Sequence, residues 1–398
     1  MVNLGPGSQS TTTRVTSVDA LRGLVMIIMA LDHTREFFHI GAMSFSPEDL
    51  ARTTRLLFFT RWITHICAPV FMFTAGMGAF FWLRRGRTMV ELAHFLWKRA
   101  LWLVVLELTV LRFAVNFRFV HSLIFLSILW ALGCSMIVLG FLVRVPIPVL
   151  TVFSIGMIVT HNLADAVSAS QFGAVAWLWN ILHQPGIFRV GGVGVAALYP
   201  LVPWIAVMAA GYCFGPVMRM DPSRRWRWIV RIGLGLTLAF LILRAINVYG
   251  DPNRWSHVPG MTVLSFLRCN KYPPSLDFLL MTLGPALLLM AWFDHVAFTK
   301  TNPLIVFGRV PLFYFLVHFF LIHLLAFPFA FIRYGHIAFL LDPAPSMGGP
   351  ANLYPQGYGY PLWVVYAVWF AVVALMYPLC LGYARLKERR GDWWLSYL

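Results

Sequence analysis

The first apolar run of the sequence, near residues 18–38, carries several side chains that could do chemistry. At about 3.6 residues per turn, one stripe of a helix over this run would hold Asp19, Arg22, Met26, Met29, His33 and Glu36. His33 then lies roughly 17 Å beyond Arg22 along the helix axis. Ionisable groups that deep in an apolar span are costly and usually functional. The alternative is a histidine whose ring is satisfied by a neighbouring helix.

Asp32 directly precedes His33, but neighbouring side chains on a helix point about 100° apart. We therefore expect the Asp32 carboxylate to bond Arg35, three residues on, or a group on another helix. Glu36 is spaced to reach the imidazole itself. Asp32 is a candidate catalytic residue that would orient His33 or support it electrostatically.

The second apolar run carries Arg61 and His65, which are four residues apart and so share a helix face. They fall near the end of the span at which His33 is expected. Pro69 frees a backbone carbonyl and bends the helix, which suits the wall of a cavity. Either Arg61 and His65 bind a substrate, or they form an interfacial pair that anchors the helix.

The stretch Asn-Lys-Tyr-Pro-Pro-Ser at 270–275 precedes the eighth apolar run. Proline suits the first position of a helix, and the free N–H groups there can bind an anion or a sugar hydroxyl. Lys271 adds a positive charge beside these groups. The pattern favours substrate binding by Lys271 and Tyr272.

The ninth apolar run contains Arg309, Tyr314, His318 and His323. His318 and His323 are five residues apart, so they do not form the i, i+4 histidine pair of a zinc-binding helix. His318 shares a face with Tyr314 and is a candidate substrate-binding residue. Arg309 lies at the opposite end of the run, where it could meet a phosphate.

The sequence contains no motif for metal binding, for nucleotide phosphate binding or for nucleic-acid recognition. The five cysteines contain no CxxC pair, and neither a metal site nor a phosphate-cradling glycine loop is indicated. The formal charge of +16 comes from short basic clusters between apolar runs, which is typical of membrane topology signals rather than of nucleic-acid binding.

Composition identifies the elements that must position these residues. Of the 398 residues, 60% are hydrophobic and only 12% are charged. A soluble chain carries about 25% charged residues, whereas lipid is an adequate solvent for an apolar outer face. We predict an all-α polytopic membrane protein, a bundle of about ten transmembrane helices near 18–38, 57–83, 98–113, 121–143, 147–161, 197–218, 228–248, 273–293, 303–329 and 361–383.

Basic clusters fix the expected orientation. With ten spans, the dense clusters at 84–99, 219–231 and 385–390 all fall on one side, which the positive-inside rule makes cytoplasmic. We predict cytoplasmic tails at 1–17 and 386–398, one transmembrane domain at 18–385, and a bacterial inner (cytoplasmic) membrane. The N-terminal stretch lacks the features of a cleaved signal peptide. Gly211 and Gly215 form a small-xxx-small motif that would serve internal helix packing or a homodimer.

The residues also resemble a known family. Ser-Val-Asp-Ala-Leu-Arg-Gly at 17–23, followed by His33, is similar to the opening span of transmembrane acyltransferases, in particular the heparan-alpha-glucosaminide N-acetyltransferase-like family of bacterial membrane proteins. Further stretches in family order are Thr-His-Ile-Cys-Ala-Pro-Val-Phe at 64–71, Tyr-Pro-Leu-Val-Pro-Trp at 199–204, Lys-Tyr-Pro-Pro-Ser at 271–275 and Phe-Gly-Arg-Val-Pro-Leu-Phe-Tyr at 307–314. The resemblance covers about 14 to 385.

This resemblance implies acetyl transfer from cytoplasmic acetyl-CoA to a saccharide or glycolipid acceptor on the far side. Related bacterial O-acyltransferases place a catalytic histidine ten residues after the glycine of Leu-Arg-Gly, which is the spacing from Gly23 to His33. The lysosomal member of the family has asparagine at this point and a histidine in the following loop, where this chain offers His39. The CoA phosphates would be held by Arg22, Lys98, Arg99 and Arg309.

Two alternatives stay open. A transporter or permease would use His33, Asp32 and His65 as an intramembrane proton relay, although no inverted repeat of the usual kind is visible. A membrane scaffold or an inactive family member would tolerate the replacement of His33 without consequence except to packing.

Overall fold

A computed structural model describes residues 15–118, 123–342, 344, 351–390, 392 and 395. Residues 1–14 of the predicted N-terminal tail and residues 391, 393, 394 and 396–398 of the predicted C-terminal tail therefore lie outside the described residues. The α-helices are α1 Thr16–Phe38, α2 Arg55–Trp62, α3 Cys67–Leu83, α4 Met89–Leu106, α5 Arg112–Asn116, α6 Ile128–Leu142, α7 Ile147–Thr160, α8 Ala176–Leu182, α9 Trp204–Phe214, α10 Pro222–Ile246, α11 Thr262–Leu267, α12 Leu276–Phe293, α13 Pro303–Arg309, α14 Pro311–Tyr334 and α15 Leu362–Arg389.

The helical membrane class is confirmed. Six helical stretches in the described residues are long and apolar enough to cross a bilayer: Arg55–Leu83, Ile147–Ala164, Pro222–Ile246, Leu276–Phe293, Pro311–Tyr334 and Leu362–Arg389. The remaining predicted runs also contain helix, but α1 and α4 carry several charges, and α6 and α9 are short. The count of ten spans and the orientation stay predictions.

The observed helix bounds differ from the bounds of the predicted apolar runs, in two cases at prolines. The run at 197–218 is helical only from Trp204, because Pro200 and Pro203 precede a helix better than they continue one. The run at 303–329 divides into α13 and α14 at Val310, directly before Pro311. The run at 98–113 extends further than predicted, as α4 continues through a π-helix, Glu107–Leu111, into α5.

A small β-sheet accompanies the helices and was not predicted. Strand β1, Leu123–Leu126, lies parallel to β3, Val193–Ala197, and β3 pairs antiparallel with β2, Gly186–Val190. The strands have only four or five residues, too few to show a clear alternation of apolar and polar residues.

Glycines bring helix backbones together around the centre of the bundle. A Cβ atom on Gly23 of α1 would overlap the carbonyl oxygen of Leu304 on α13, and one on Gly308 would overlap that of Asp19. In the same way Gly211 of α9 faces the backbone of Phe73 on α3. Close backbone approach through small residues is a principal way in which helices associate in lipid. Gly211 thus serves helix packing within the chain, between α9 and α3.

Candidate active site

A pair of histidines joins α1 to α14. The Nδ1 atom of His33 lies 2.6 Å from Nε2 of His318, and the two rings meet edge to edge, with centroids 4.9 Å apart and 24° between their planes. His318 is fully buried, whereas His33 is half-buried, with the ring of Phe319 against it at 4.1 Å. Both residues were predicted as site residues from the sequence, but a contact between them was not predicted.

The hydrogen bonds assign the protons of this pair. His318 Nδ1 lies 2.9 Å from the carbonyl oxygen of Tyr314, which can only accept. The neutral His318 therefore carries its hydrogen on Nδ1 and accepts through Nε2 from the Nδ1–H of His33. This arrangement leaves a free lone pair on His33 Nε2. A general base requires such a lone pair.

Asp32 pairs with arginines rather than with His33. Its Oδ1 accepts from Nε and Nη2 of Arg35 at 3.2 and 3.0 Å, and its Oδ2 accepts from Arg61. The Arg35 contact is the one expected from the i, i+3 spacing. Glu36 lies 3.7 Å from Arg35. Asp32 can therefore influence His33 through its charge and its position on α1.

His65 is also close to a carboxylate. Its Nε2 lies 2.6 Å from Oε1 of Glu48, which comes from the loop between α1 and α2. Burial alone would raise the pKa of Glu48, but the neighbouring His65 and Arg61 lower it to about 2. The loop at 44–54 has no periodic pattern, so Glu48 was missed in the sequence.

The loop before α12 brings Lys271 to the same region. Asp251 accepts from the backbone N–H of Asn270 at 2.7 Å and from the hydroxyl of Ser275 at 2.6 Å, which fixes both ends of the Lys-Tyr-Pro-Pro stretch. The Nζ atom of Lys271 lies 5.2 Å from the centre of the Tyr272 ring.

A small chamber of about 50 Å³ collects several of these groups. Its polar lining consists of Asp32, His33, Thr64, Cys67, Tyr199 and Lys271. Its volume leaves room for only a few water-sized groups. Tyr199, which was not among the predicted site residues, also points its hydroxyl to within 3.5 Å of that of Tyr272.

A second, larger cavity of about 260 Å³ adjoins the chamber. Its lining is mostly apolar and comes from α1, α3, α4, α6 and α14, with Arg22 and Arg99 as the charged residues. Arg22 donates to the carbonyl oxygen of Thr74 at 2.5 Å. The two cavities share three lining residues, Phe71, Ile128 and Phe315.

The shared wall depends on a buried carboxylate. Glu107, in the π-helix, accepts from the backbone N–H groups of Ser127, Leu129 and Trp130 at 3.1, 3.1 and 3.3 Å. These N–H groups form the N-terminus of α6, where a negative charge is favourable. Glu107 thereby holds Ile128 in the wall between the cavities.

The other predicted residues lie outside these two cavities. Lys98 is exposed on α4, and Arg309 forms an ion pair with Glu388 of α15. Arg61, His65 and Tyr272 surround the chamber without lining it, and His318 lies behind His33.

Comparison with known proteins adds the family. A sequence model described as heparan-alpha-glucosaminide N-acetyltransferase, catalytic, matches residues 14–249, more than half of the chain. No curated protein matches the chain. The matched stretch includes α1 to α10, with His33, Arg22 and Arg99, and ends before Lys271. The chain therefore belongs to the heparan-alpha-glucosaminide N-acetyltransferase family of membrane acetyltransferases.

Proposed function

We propose that this protein transfers an acetyl group from cytoplasmic acetyl-CoA to a saccharide or glycolipid acceptor on the outer side of a bacterial inner membrane. The observation that carries the proposal is the contact of two cavities through Phe71, Ile128 and Phe315. One cavity is mostly apolar and has two arginines in its lining, and the other is small and has His33, Asp32 and Lys271 in its lining. A long thioester and a polar acceptor need such an arrangement in order to meet.

The larger cavity suits the donor. Arg22 and Arg99 offer guanidinium groups to the CoA phosphates, and the apolar lining offers a path for the pantetheine arm towards the shared wall. Lys98 and Arg309 are proposed to act on the same phosphates from outside the cavity, after Arg309 exchanges its partner Glu388. This use of the cavity requires both termini to lie in the cytoplasm.

The reaction follows from the assignment of protons in the histidine pair. His33 Nε2 takes the proton of the acceptor amine or hydroxyl while the acceptor atom attacks the thioester carbonyl carbon. The C–S bond then breaks, and the proton passes from His33 to the departing thiolate, which gives the acetylated acceptor and free CoA. A general base of this kind typically contributes about 10²–10⁴-fold in rate.

Three of the remaining candidates surround the acceptor. Arg61, His65 and Tyr272 form the outer end of the chamber region, and aromatic rings beside charged groups suit a polar acceptor with apolar faces. Asp32 holds Arg61 and Arg35 in place next to His33.

The test is acetyl-CoA-dependent release of free CoA by the purified protein in detergent, with a panel of amino sugars and lipid-linked glycans. We expect release that depends on an acceptor and falls at least about 100-fold in His33→Ala. His94→Ala, which removes an exposed histidine of α4, is the matched control and should retain activity.

Each other outcome has a defined meaning. Wild-type activity in a folded His33→Ala variant would exclude His33 as the base. Radiolabelled acetyl that remains on the denatured protein would replace direct transfer by an acetyl-histidine route. A wild-type protein that neither binds acetyl-CoA nor releases CoA would refute the transferase, and substrate flux without thioester consumption would establish a transporter.

A further inference from the structure

Lys271 presents a buried positive charge beside the general base. The residue is only 9% exposed, and it lines the 50 Å³ chamber together with His33. Within the described residues no carboxylate lies within 4.0 Å of its ammonium group. The Tyr272 ring at 5.2 Å is a weak partner for a full charge. A buried charge without a carboxylate partner is unfavourable unless something in the working protein compensates for it.

The nearby carboxylates are already engaged. Asp32 is shared by Arg35 and Arg61, Glu36 lies 3.7 Å from Arg35, and Glu48 lies against His65. Neutralisation of an acidic group of the chain therefore does not account for Lys271. Its ammonium group is left to interact with what enters the chamber.

The backbone around Lys271 is held on several sides. Besides the two bonds to Asp251, the carbonyl oxygen of Pro274 lies 2.9 Å from Nε2 of His161, and the N–H of Leu276 donates to Asn162 at 2.8 Å. These contacts tie the stretch to the end of α7. The charge is thus positioned before any substrate binds, which is the condition for electrostatic stabilisation of a transition state.

We propose that Lys271 is a catalytic residue whose ammonium group stabilises the oxyanion formed on the acetyl carbonyl oxygen. This inference rests on the proposed function. As the acceptor attacks, its proton passes to His33 and the electron pair of the C=O bond moves onto the oxygen beside Lys271. The pair returns when the C–S bond breaks and the thiolate takes the proton.

The energetic argument is that the interaction strengthens during the reaction. The thioester oxygen is neutral in the bound substrate and carries a full negative charge in the tetrahedral intermediate. A fixed cation in a chamber this small therefore favours the transition state over the ground state, and this difference accelerates the chemical step. An anchor for an anionic group of the acceptor would instead act equally in both states.

The kinetic test compares Lys271→Met and Lys271→Arg with wild type, using any acceptor that supports CoA release. We expect kcat to fall by about 10²–10³-fold in Lys271→Met, with a small change in the KM values, and to fall less in Lys271→Arg. Lys300→Met, which removes an exposed lysine before α13, is the control and should leave kcat unchanged. A raised acceptor KM with unchanged kcat would make Lys271 an acceptor anchor and overturn the proposal.

A binding test does not need the acceptor. The probes are two CoA thioether ketones, a methyl ketone and a trifluoromethyl ketone, because the second readily forms an ionisable tetrahedral adduct that resembles the oxyanion. We expect Lys271→Met to raise the Kd of the trifluoromethyl ketone at least tenfold more than that of the methyl ketone. Both Kd values are measured by calorimetry on monodisperse protein. Equal effects on both ketones would overturn the proposal. A wild-type protein that binds neither ketone and releases no CoA would refute the proposed function, and the role of Lys271 with it.

Discussion

At the scale of single residues, one backbone carbonyl decides which nitrogen of His33 can react. The carbonyl oxygen of Tyr314 accepts from His318 Nδ1, and this bond makes His318 Nε2 an acceptor for His33. In the proposed reaction, His318 therefore acts through His33 as a positioning residue and has no need to touch a substrate. The same logic fixes the reactive tautomer in hydrolytic triads, although the orienting group there is a carboxylate.

We predict that the identity of the group at position 318 matters through its acceptor atom. His318→Gln can still offer a carbonyl oxygen to the Nδ1–H of His33, whereas His318→Leu cannot. The leucine variant should lose about 10–100-fold in kcat, part of the usual contribution of a general base, and the glutamine variant should recover much of it. The measurement is steady-state CoA release by folded protein.

The control for this prediction is His323→Leu on the same helix. His323 is also fully buried, but its nitrogens lie 2.9 and 2.8 Å from the carbonyl oxygens of Ala114 and Leu340. Its loss should lower the thermal unfolding midpoint and leave kcat of the folded fraction unchanged. Equal kcat values for the Gln and Leu variants at position 318 would contradict the tautomer argument.

How far these residues were predictable depends on where they lie. His33 followed from helical spacing and from its distance to Leu-Arg-Gly, and Lys271 from a motif before a helix. Glu48 and Tyr199 were missed because they come from loops, in which no period links a side chain to a direction. The contact between His33 and His318 needed the relative position of two helices far apart in sequence.

At the scale of elements, glycine contacts set the distances between helices and hence the cavity walls. Gly76 of α3 faces the backbone of Met208, and Gly211 of α9 faces Phe73, so the two helices approach through both glycines. Phe71 lies on α3, near this contact, and belongs to the wall between the cavities. A change in the α3–α9 distance would therefore reach the site.

We predict opposite effects for the same substitution at two glycines. Gly211→Ala should destabilise the protein by about 1–3 kcal/mol, because the added methyl group meets the Phe73 carbonyl. A Cβ atom added at Gly235 of α10 would meet no atom within 4 Å. Gly235→Ala should therefore stabilise the protein by up to about 1 kcal/mol, because alanine has the higher helix propensity. The measurement is the unfolding midpoint of each variant in the same detergent.

The same experiment tests the homodimer that the sequence left open. If Gly211 mediated association of two chains, alanine would change the oligomeric state in solution and leave the unfolding midpoint in place. The structure gives the opposite expectation, since both Gly211 and Gly215 pack against α3 of their own chain.

The helices were more predictable than their ends. Apolar runs of membrane length produced helices because lipid leaves the backbone few other ways to satisfy its N–H and C=O groups. The late starts of α6 and α9, the break at Val310 and the three short strands depend on prolines, on Glu107 and on pairing between distant segments. These features cannot be predicted from composition and periodicity.

At the scale of the whole molecule, contacts bring two of the three basic clusters, at 219–231 and 385–390, to one face. Asp294 at the end of α12 accepts from Ser17 at the start of α1 and from Arg225 near the start of α10, at 3.0 and 2.7 Å. Glu388 at the end of α15 pairs with Arg309. Gly308, next to Arg309, packs against Asp19 near the start of α1, so the starts of α1 and α10 and the ends of α12 and α15 lie on one face. From the positive-inside rule we predict that this face is cytoplasmic.

This orientation is open to direct measurement with single cysteines placed at exposed arginines. Arg85→Cys lies in the turn between α3 and α4, and Arg254→Cys lies in the loop between α10 and α11. We predict that a membrane-impermeant maleimide labels Arg254→Cys in intact cells and labels Arg85→Cys only in inverted vesicles. The unmodified chain is the background control, since its five cysteines are free and lie buried or half-buried.

The reverse labelling pattern would place Arg22, Arg99 and the larger cavity on the outer face, where acetyl-CoA is not supplied. Labelling of both positions from one side would mean an even number of spans between them and would contradict the ten-span arrangement, which places five spans between Arg85 and Arg254. The predicted pattern would leave the shared wall at Phe71, Ile128 and Phe315 as the barrier that separates a cytoplasmic donor from an external acceptor. Acetyl transfer in the chamber would then carry the acyl group across the membrane while CoA stays inside.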